Sequence, residues 1–131
     1  MEIKFDYPPN ITDIRKVLPI DSGKMIYCWG DILYNPHKLE IADHLKIHEL
    51  THSRQQIVPE VWWKRYLEDK DFRLSQELEA YQEQYKFAKN WIKDRNLLSR
   101  FLWAIARDLS SELYGNIIEF EEAKKQIKNV R

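Results

Sequence analysis

The chain has little of what announces many familiar chemistries. It carries one cysteine, Cys28, in 131 residues, which excludes an internal disulfide and any zinc site built from several thiolates. Its three glycines form neither a Gly-rich dinucleotide turn nor a Walker loop. Neither sign of charge is in excess, since 21 Lys and Arg balance 21 Asp and Glu. Nucleic-acid binders normally show a basic surplus, so no nucleic-acid partner is expected. The longest strongly apolar run, Phe101 to Ala106, is far short of the roughly 20 residues that span a bilayer, and no membrane partner is expected. The first residues, Met1-Glu2-Ile3-Lys4-Phe5-Asp6, are charged where a signal peptide needs an apolar core. A cytoplasmic location follows as the expectation. What the chain does have is 44% hydrophobic, 13% aromatic and 32% charged residues, a globular composition. At this length, residues 1–131 make one domain.

The first third reads as mixed and the rest as helical. Ile3 to Tyr7 alternates like a strand and is stopped by Pro8-Pro9. Asn10 or Thr12 caps a short helix that ends before Pro19. Met25 to Trp29 and Ile32 to Tyr34 flank Gly30-Asp31 and predict a hairpin. Helices follow over about Leu39–Gln56, Glu60–Lys70, Phe72–Lys93, Leu97–Leu109 and Glu119–Lys128, with Gly115-Asn116 separating the last two. The second of these should bury Val61, Trp63, Tyr66 and Leu67. The fold class is α+β, mostly helical, with a small N-terminal sheet packed on the helices.

One motif carries chemistry. His48-Glu49-Leu50-Thr51-His52 is an H-E-x-x-H string. On a helix its two histidines leave one face four residues apart and can share one zinc ion, while Glu49 stands beside the metal as a base for water. Its context supports the motif. At about 100° per residue, Ile41, Leu45, His48 and His52 share a sector of roughly 60°, so the histidines lie on the core-facing stripe. Two buried, unpaired imidazoles would each cost on the order of 1–3 kcal/mol, whereas a metal satisfies both.

A catalytic zinc commonly has three protein ligands, and no histidine follows His52. The third long helix offers Glu77 and Glu79. Its core stripe is Leu74, Leu78, Tyr81, Tyr85, Ala88 and Ile92. Glu77 lies about 60–70° from the centre of that stripe and Glu79 roughly 130° away. Glu77 is therefore the expected ligand, Glu79 is solvated, and Ala80 lets helices approach closely.

His48 to Gln56 and Glu77 to Tyr81 read as H-E-x-x-H-x-x-Q-Q and E-x-E-A-Y. In these blocks the chain resembles minimal gluzincin-type zinc metallopeptidases, small zincin-like H-E-x-x-H proteins of bacteria and their phages. The resemblance covers about residues 25–95. It implies that zinc is held by His48, His52 and Glu77, with Glu49 as catalytic base. Many gluzincins place an acid four residues after the third ligand to orient it; Tyr81 stands there instead.

Among the remaining residues, His44 continues the row one turn before His48. The outer pair of that row is about 12 Å apart along the axis, so His44 belongs at the rim or behind a ligand. His37 reads as loop surface and Cys28 as strand packing. Trp62, Trp63, Trp91 and Trp103 suggest a tryptophan-rich core. The expected activity is hydrolysis of a peptide or protein substrate, which would pair as an extended strand on the hairpin edge. Tyr81 and Tyr85 are the tyrosines in reach for an oxyanion. The alternatives are a non-catalytic zinc-binding structural or interaction module, a phage-related one included, and a metal-free helical interaction protein.

Overall fold

The computed structural model describes residues 1–20 and 25–129. The architecture is mostly helical with a small three-stranded sheet, in the order β1 (Glu2–Lys4), α1 (Ile11–Val17), β2 (Tyr27–Trp29), β3 (Ile32–Tyr34), α2 (Asp43–Gln55), α3 (Pro59–Glu68), α4 (Lys70–Trp91), α5 (Arg95–Leu109), a 3-10 turn (Glu112–Tyr114) and α6 (Phe120–Lys128). β2 and β3 form the expected hairpin, and β1 adds parallel to β3, giving the order β1-β3-β2. The turn needs its glycine twice over. Gly30 has φ +59°, and a Cβ there would lie 3.2 Å from Pro59 Cγ. No helix is long and apolar enough to cross a membrane among the described residues.

Several boundaries differ from the sequence reading, each for a local reason. α2 starts at Asp43 rather than near Leu39, where an acid in the first turn meets the positive end of the helix dipole. Ile41 therefore precedes the helix. α4 starts at Lys70 because Asp69 caps it, accepting from the Phe72 amide. Asp94 caps α5 in the same way, accepting from the amides of Asn96 and Leu97. Asn10 occupies the N-cap position of α1 but makes no cap bond. Its backbone, φ −100° and ψ 21°, is outside the β region that aims a capping side chain at the helix amides.

Two apolar clusters form the core. One gathers Ile14, Leu18, Tyr27, Tyr34, Trp62, Trp63 and Tyr66 from α1, the hairpin and α3. The other gathers Tyr81, Tyr85, Leu102, Ile105, Leu109 and Ile127 from α4, α5 and α6. Trp62 and Trp63 are buried as expected, but Trp91 and Trp103 are 73% and 48% exposed, so the tryptophan-rich core is half the size expected. Val61 is also exposed; Trp62 takes the inward place on α3.

α2 and α4 pack against one another between these clusters, and Ala80 of α4 is fully buried. The buried residues of α2 are His48, Glu49, Thr51 and His52, so the whole inner face of this helix is polar. α4 answers in kind. Leu74, Leu78 and Ile92 are only half-buried, while Arg73, Glu77 and Gln84 are fully buried. Tyr81, Tyr85 and Ala88 of the expected stripe are buried as expected, but the buried face widens toward Arg73, Glu77 and Gln84, whose polar groups need partners there.

Candidate metal centre

His48 and His52 project from successive turns of α2, and Glu77 reaches them from α4. Their donor atoms meet. His48 Nε2 lies 3.1 Å from His52 Nε2 and 3.2 Å from Glu77 Oε1. His52 Nε2 lies 3.1 Å from Glu77 Oε2. A tetrahedral ion with bonds near 2.0 Å separates its ligands by about 3.3 Å, so the triangle has the size of one face of such a site. All three residues are buried and their ligand atoms converge.

Each donor is oriented from behind. His48 Nδ1 donates to Gln84 Oε1 at 2.9 Å, and Gln84 Nε2 in turn donates to His44 Nδ1 at 2.9 Å. His52 Nδ1 donates to Gln55 Oε1 at 2.8 Å. The Gln55 amide is fixed by donating to the Gln76 carbonyl and to Glu79 Oε1, at 3.0 and 2.7 Å. With a hydrogen on each Nδ1, both Nε2 atoms point lone pairs at a carboxylate. Three acceptors at such short range repel one another unless a proton or a cation lies among them. Glu77 is held by the Tyr66 hydroxyl, which donates to Oε2 at 2.6 Å. The residues present therefore fit a metal, and two imidazoles with one carboxylate suit zinc.

The electrostatics of the site agree. Burial alone would lower the pKa of His52, but Glu77 beside it raises it to about 9. Burial alone would raise Glu77, yet the two histidines outweigh that and hold its carboxyl far below the ordinary range. Burial dominates for Glu49 and pushes its carboxyl up, against the pull of His48 and His52. Glu49 lines the same cavity as the three ligands, and its carboxylate makes no hydrogen bond or ion pair among the described residues. The cavity, about 50 Å³, has room for a few water-sized groups.

Sequence reasoning brought His48, Glu49, His52 and Glu77 to one place, and the structure puts them there. Of the two places expected for His44, the rim or behind a ligand, it takes the second, linked to His48 through Gln84. His37 is exposed, as expected for loop surface. Cys28 is buried strand packing, with Sγ donating to the Gly30 carbonyl at 3.3 Å; burial, then Glu49 and Asp31, push its thiol up. Glu79 is exposed but not idle, since it fixes Gln55. Tyr81 does not support Glu77; its ring packs edge-on against His48 at 4.5 Å and its hydroxyl meets that of Tyr114 at 2.8 Å. Tyr85 belongs to the second core cluster and lies outside the site.

Four residues were missed. Gln55 sits in the H-E-x-x-H-x-x-Q-Q block, and Gln84 lies seven residues after Glu77, on the same helix face, so both had a readable signal. Tyr66 had none. Neither had Arg73, a buried cation that donates to the backbone carbonyls of Tyr66 and Tyr114, at 2.7 and 2.9 Å, and so anchors the tyrosine that holds Glu77. Gly115 makes room for it: its φ is +89°, and a Cβ there would lie 3.2 Å from the Arg73 guanidinium.

The open edge expected for substrate is partly closed. β2 is the outer strand, but the Cys28 carbonyl already accepts from Gln56 Nε2 at 2.9 Å and from Trp63 Nε1 at 3.0 Å. Compared with protein-family models, with curated proteins and with solved structures, the chain finds no match.

Proposed function

We propose that the protein is a zinc-dependent metallopeptidase, a hydrolase of peptide bonds, with His48, His52 and Glu77 as metal ligands and Glu49 as general base. The observation that carries this reading is the convergence of three oriented acceptors beside the buried carboxylate of Glu49, which makes no hydrogen bond or ion pair among the described residues. Zinc bound there supplies a Lewis acid for the scissile carbonyl and lowers the pKa of water toward about 7. Glu49 takes the proton of the attacking water and returns it to the leaving amine. Its burial strengthens its hold on that proton, which suits a group that must accept it and then donate it. Tyr66, Gln55 and Gln84 keep the ligands from turning. The cytoplasm is the proposed location, in keeping with a single buried and unpaired cysteine.

A non-catalytic zinc-binding structural or interaction module is the second reading. Two observations favour it: the small cavity and the capped Cys28 carbonyl on the sheet edge. Metal analysis joined to cleavage of a peptide library separates the two. Under the peptidase reading the protein holds about one zinc per chain, and Glu49→Gln keeps that zinc while cleaving about 10²–10⁴-fold more slowly. Equal rates would remove Glu49 from the mechanism. Stoichiometric zinc with no cleavage by either protein would favour the module.

A further inference from the structure

A second and larger space adjoins the metal cavity. A groove of about 480 Å³ runs between α2, α4, α5 and the 3-10 turn. It shares Met25, Ile26, His48, Glu49, Leu113 and Tyr114 with the inner cavity, so a group lying in it lies beside the proposed base. Much of its wall is apolar, from Met25, Ile26, Leu45 and Leu113. Among the described residues, its one charged residue besides the site's own is Asp108, and no lysine or arginine lines it.

Asp108 is an exposed residue at the rim of the groove. It lies in the last turn of α5, at the negative end of the helix dipole, where an acid is disfavoured. Its carboxylate makes no ion pair or hydrogen bond among the described residues. The neighbouring cation, Arg107, lies over the Trp103 ring at 5.4 Å instead. Partial burial pushes the Asp108 carboxyl up despite Arg107 and His48. A cation in the groove would offset the unfavourable placing of an acid at this helix end.

We propose that this groove is the substrate's specificity subsite and that Asp108 is the counter-ion for a cationic group beside the cleaved bond. The group is an ammonium or guanidinium, supplied by a lysine or arginine side chain or by a free α-amine. The apolar walls suit the methylene stem of a long basic side chain, which buries its carbons while its charged head reaches a partner. The inference rests on the peptidase reading for its substrate, but it is tested by binding.

The zinc-loaded Glu49→Gln protein is titrated with labelled peptides that differ at one position, carrying Lys, Arg, norleucine or Glu, each with a free and an acetylated amino terminus. Fluorescence anisotropy gives Kd. Lys and Arg peptides should bind about fivefold tighter than norleucine, the range of a partly screened ion pair, and Glu peptides weaker still. Asp108→Asn should bring the Lys-to-norleucine ratio close to one with zinc content unchanged. A Lys-over-norleucine preference that survives acetylation assigns the group to the side chain; Lys and norleucine peptides that bind alike, each about fivefold more weakly once acetylated, assign it to the α-amine. Equal Kd for all peptides whether acetylated or not, a preference of either kind that survives Asp108→Asn, or no binding of any peptide would overturn the subsite. Cleavage by the Glu49 protein is scored separately. Cleavage without cation preference leaves the peptidase reading standing and removes the subsite, whereas cation-selective binding without cleavage does the reverse.

Discussion

At the scale of single residues, two glutamines set the quality of the site. Gln84 and Gln55 each accept from a ligand's Nδ1, so each fixes a tautomer that leaves Nε2 free for a metal. A neutral amide does this without adding charge, and Glu77 remains the one anion among the ligands. Removing such a partner typically costs about 10- to 100-fold in metal affinity. Gln84→Met and Gln55→Met, close in volume but unable to accept in the same way, should each weaken zinc binding by about that factor in competition with a chromophoric chelator. Glu79→Ala, which only loosens Gln55, should cost less than either. Glu77→Ala should abolish stoichiometric binding. Unchanged affinity in both methionine variants would show that the imidazoles need no orientation from behind. The ligands themselves were legible because helical spacing encodes them: four residues for the histidines, one face of a wheel for Glu77. Tyr66 was not legible, because it comes from a third helix and no spacing within α2 or α4 points to it.

At the scale of elements, the site is a clasp between α2 and α4. The pH response of the metal-free protein from acid to about pH 9 follows from His52, Glu77 and Glu49. His52, raised to about 9, contributes stability that is full below its unfolded value near 6.5 and is lost as pH rises through 9. Glu77, held far below 4.5, contributes above 4.5 and loses that contribution only in strong acid. Glu49, raised by burial, adds to the loss as pH rises. The metal-free protein should therefore be most stable between about pH 4.5 and 6.5, with a Tm that falls toward pH 9. Zinc takes the place of the His52 proton, so its stabilisation should grow from about pH 6 to pH 8 as protons cease to compete. At a thousandfold excess over Kd that stabilisation is on the order of 4 kcal/mol. Melting curves with zinc or with chelator at the two pH values check both slopes. A zinc effect that is absent, or larger at the acid end, would contradict the clasp. Helix existence was readable here, and helix phase in part: Tyr81, Tyr85 and Ala88 of the α4 stripe are buried, as is Glu77. The apolar pattern of α4 points to Leu74 and Leu78, yet the buried hydrogen-bonding needs of Arg73, Glu77 and Gln84 decide which face turns to α2.

At the scale of the whole molecule, the polar seam lies between two aromatic-rich clusters, and this position gives the protein an optical consequence. The Trp62 ring packs edge-on against His52 with 5.5 Å between centroids, whereas Trp91 and Trp103 stand on the surface. A protonated imidazole draws an electron from an excited indole and darkens it; a neutral one does so much less. In the metal-free protein near pH 7, His52 carries its proton, and Trp62 should be dim. Zinc expels that proton and, being d¹⁰, has no low-lying states with which to quench in its turn. Emission should therefore brighten as zinc is added, in a fraction that iodide in solution does not reach, and Trp62→Phe should erase the change while leaving the iodide-sensitive light of Trp91 and Trp103. A signal that stays flat while metal analysis shows zinc bound would place the ion away from His52. The indole that closes one wall of the cavity thus makes occupancy of the site readable by light, with no added dye and no substrate.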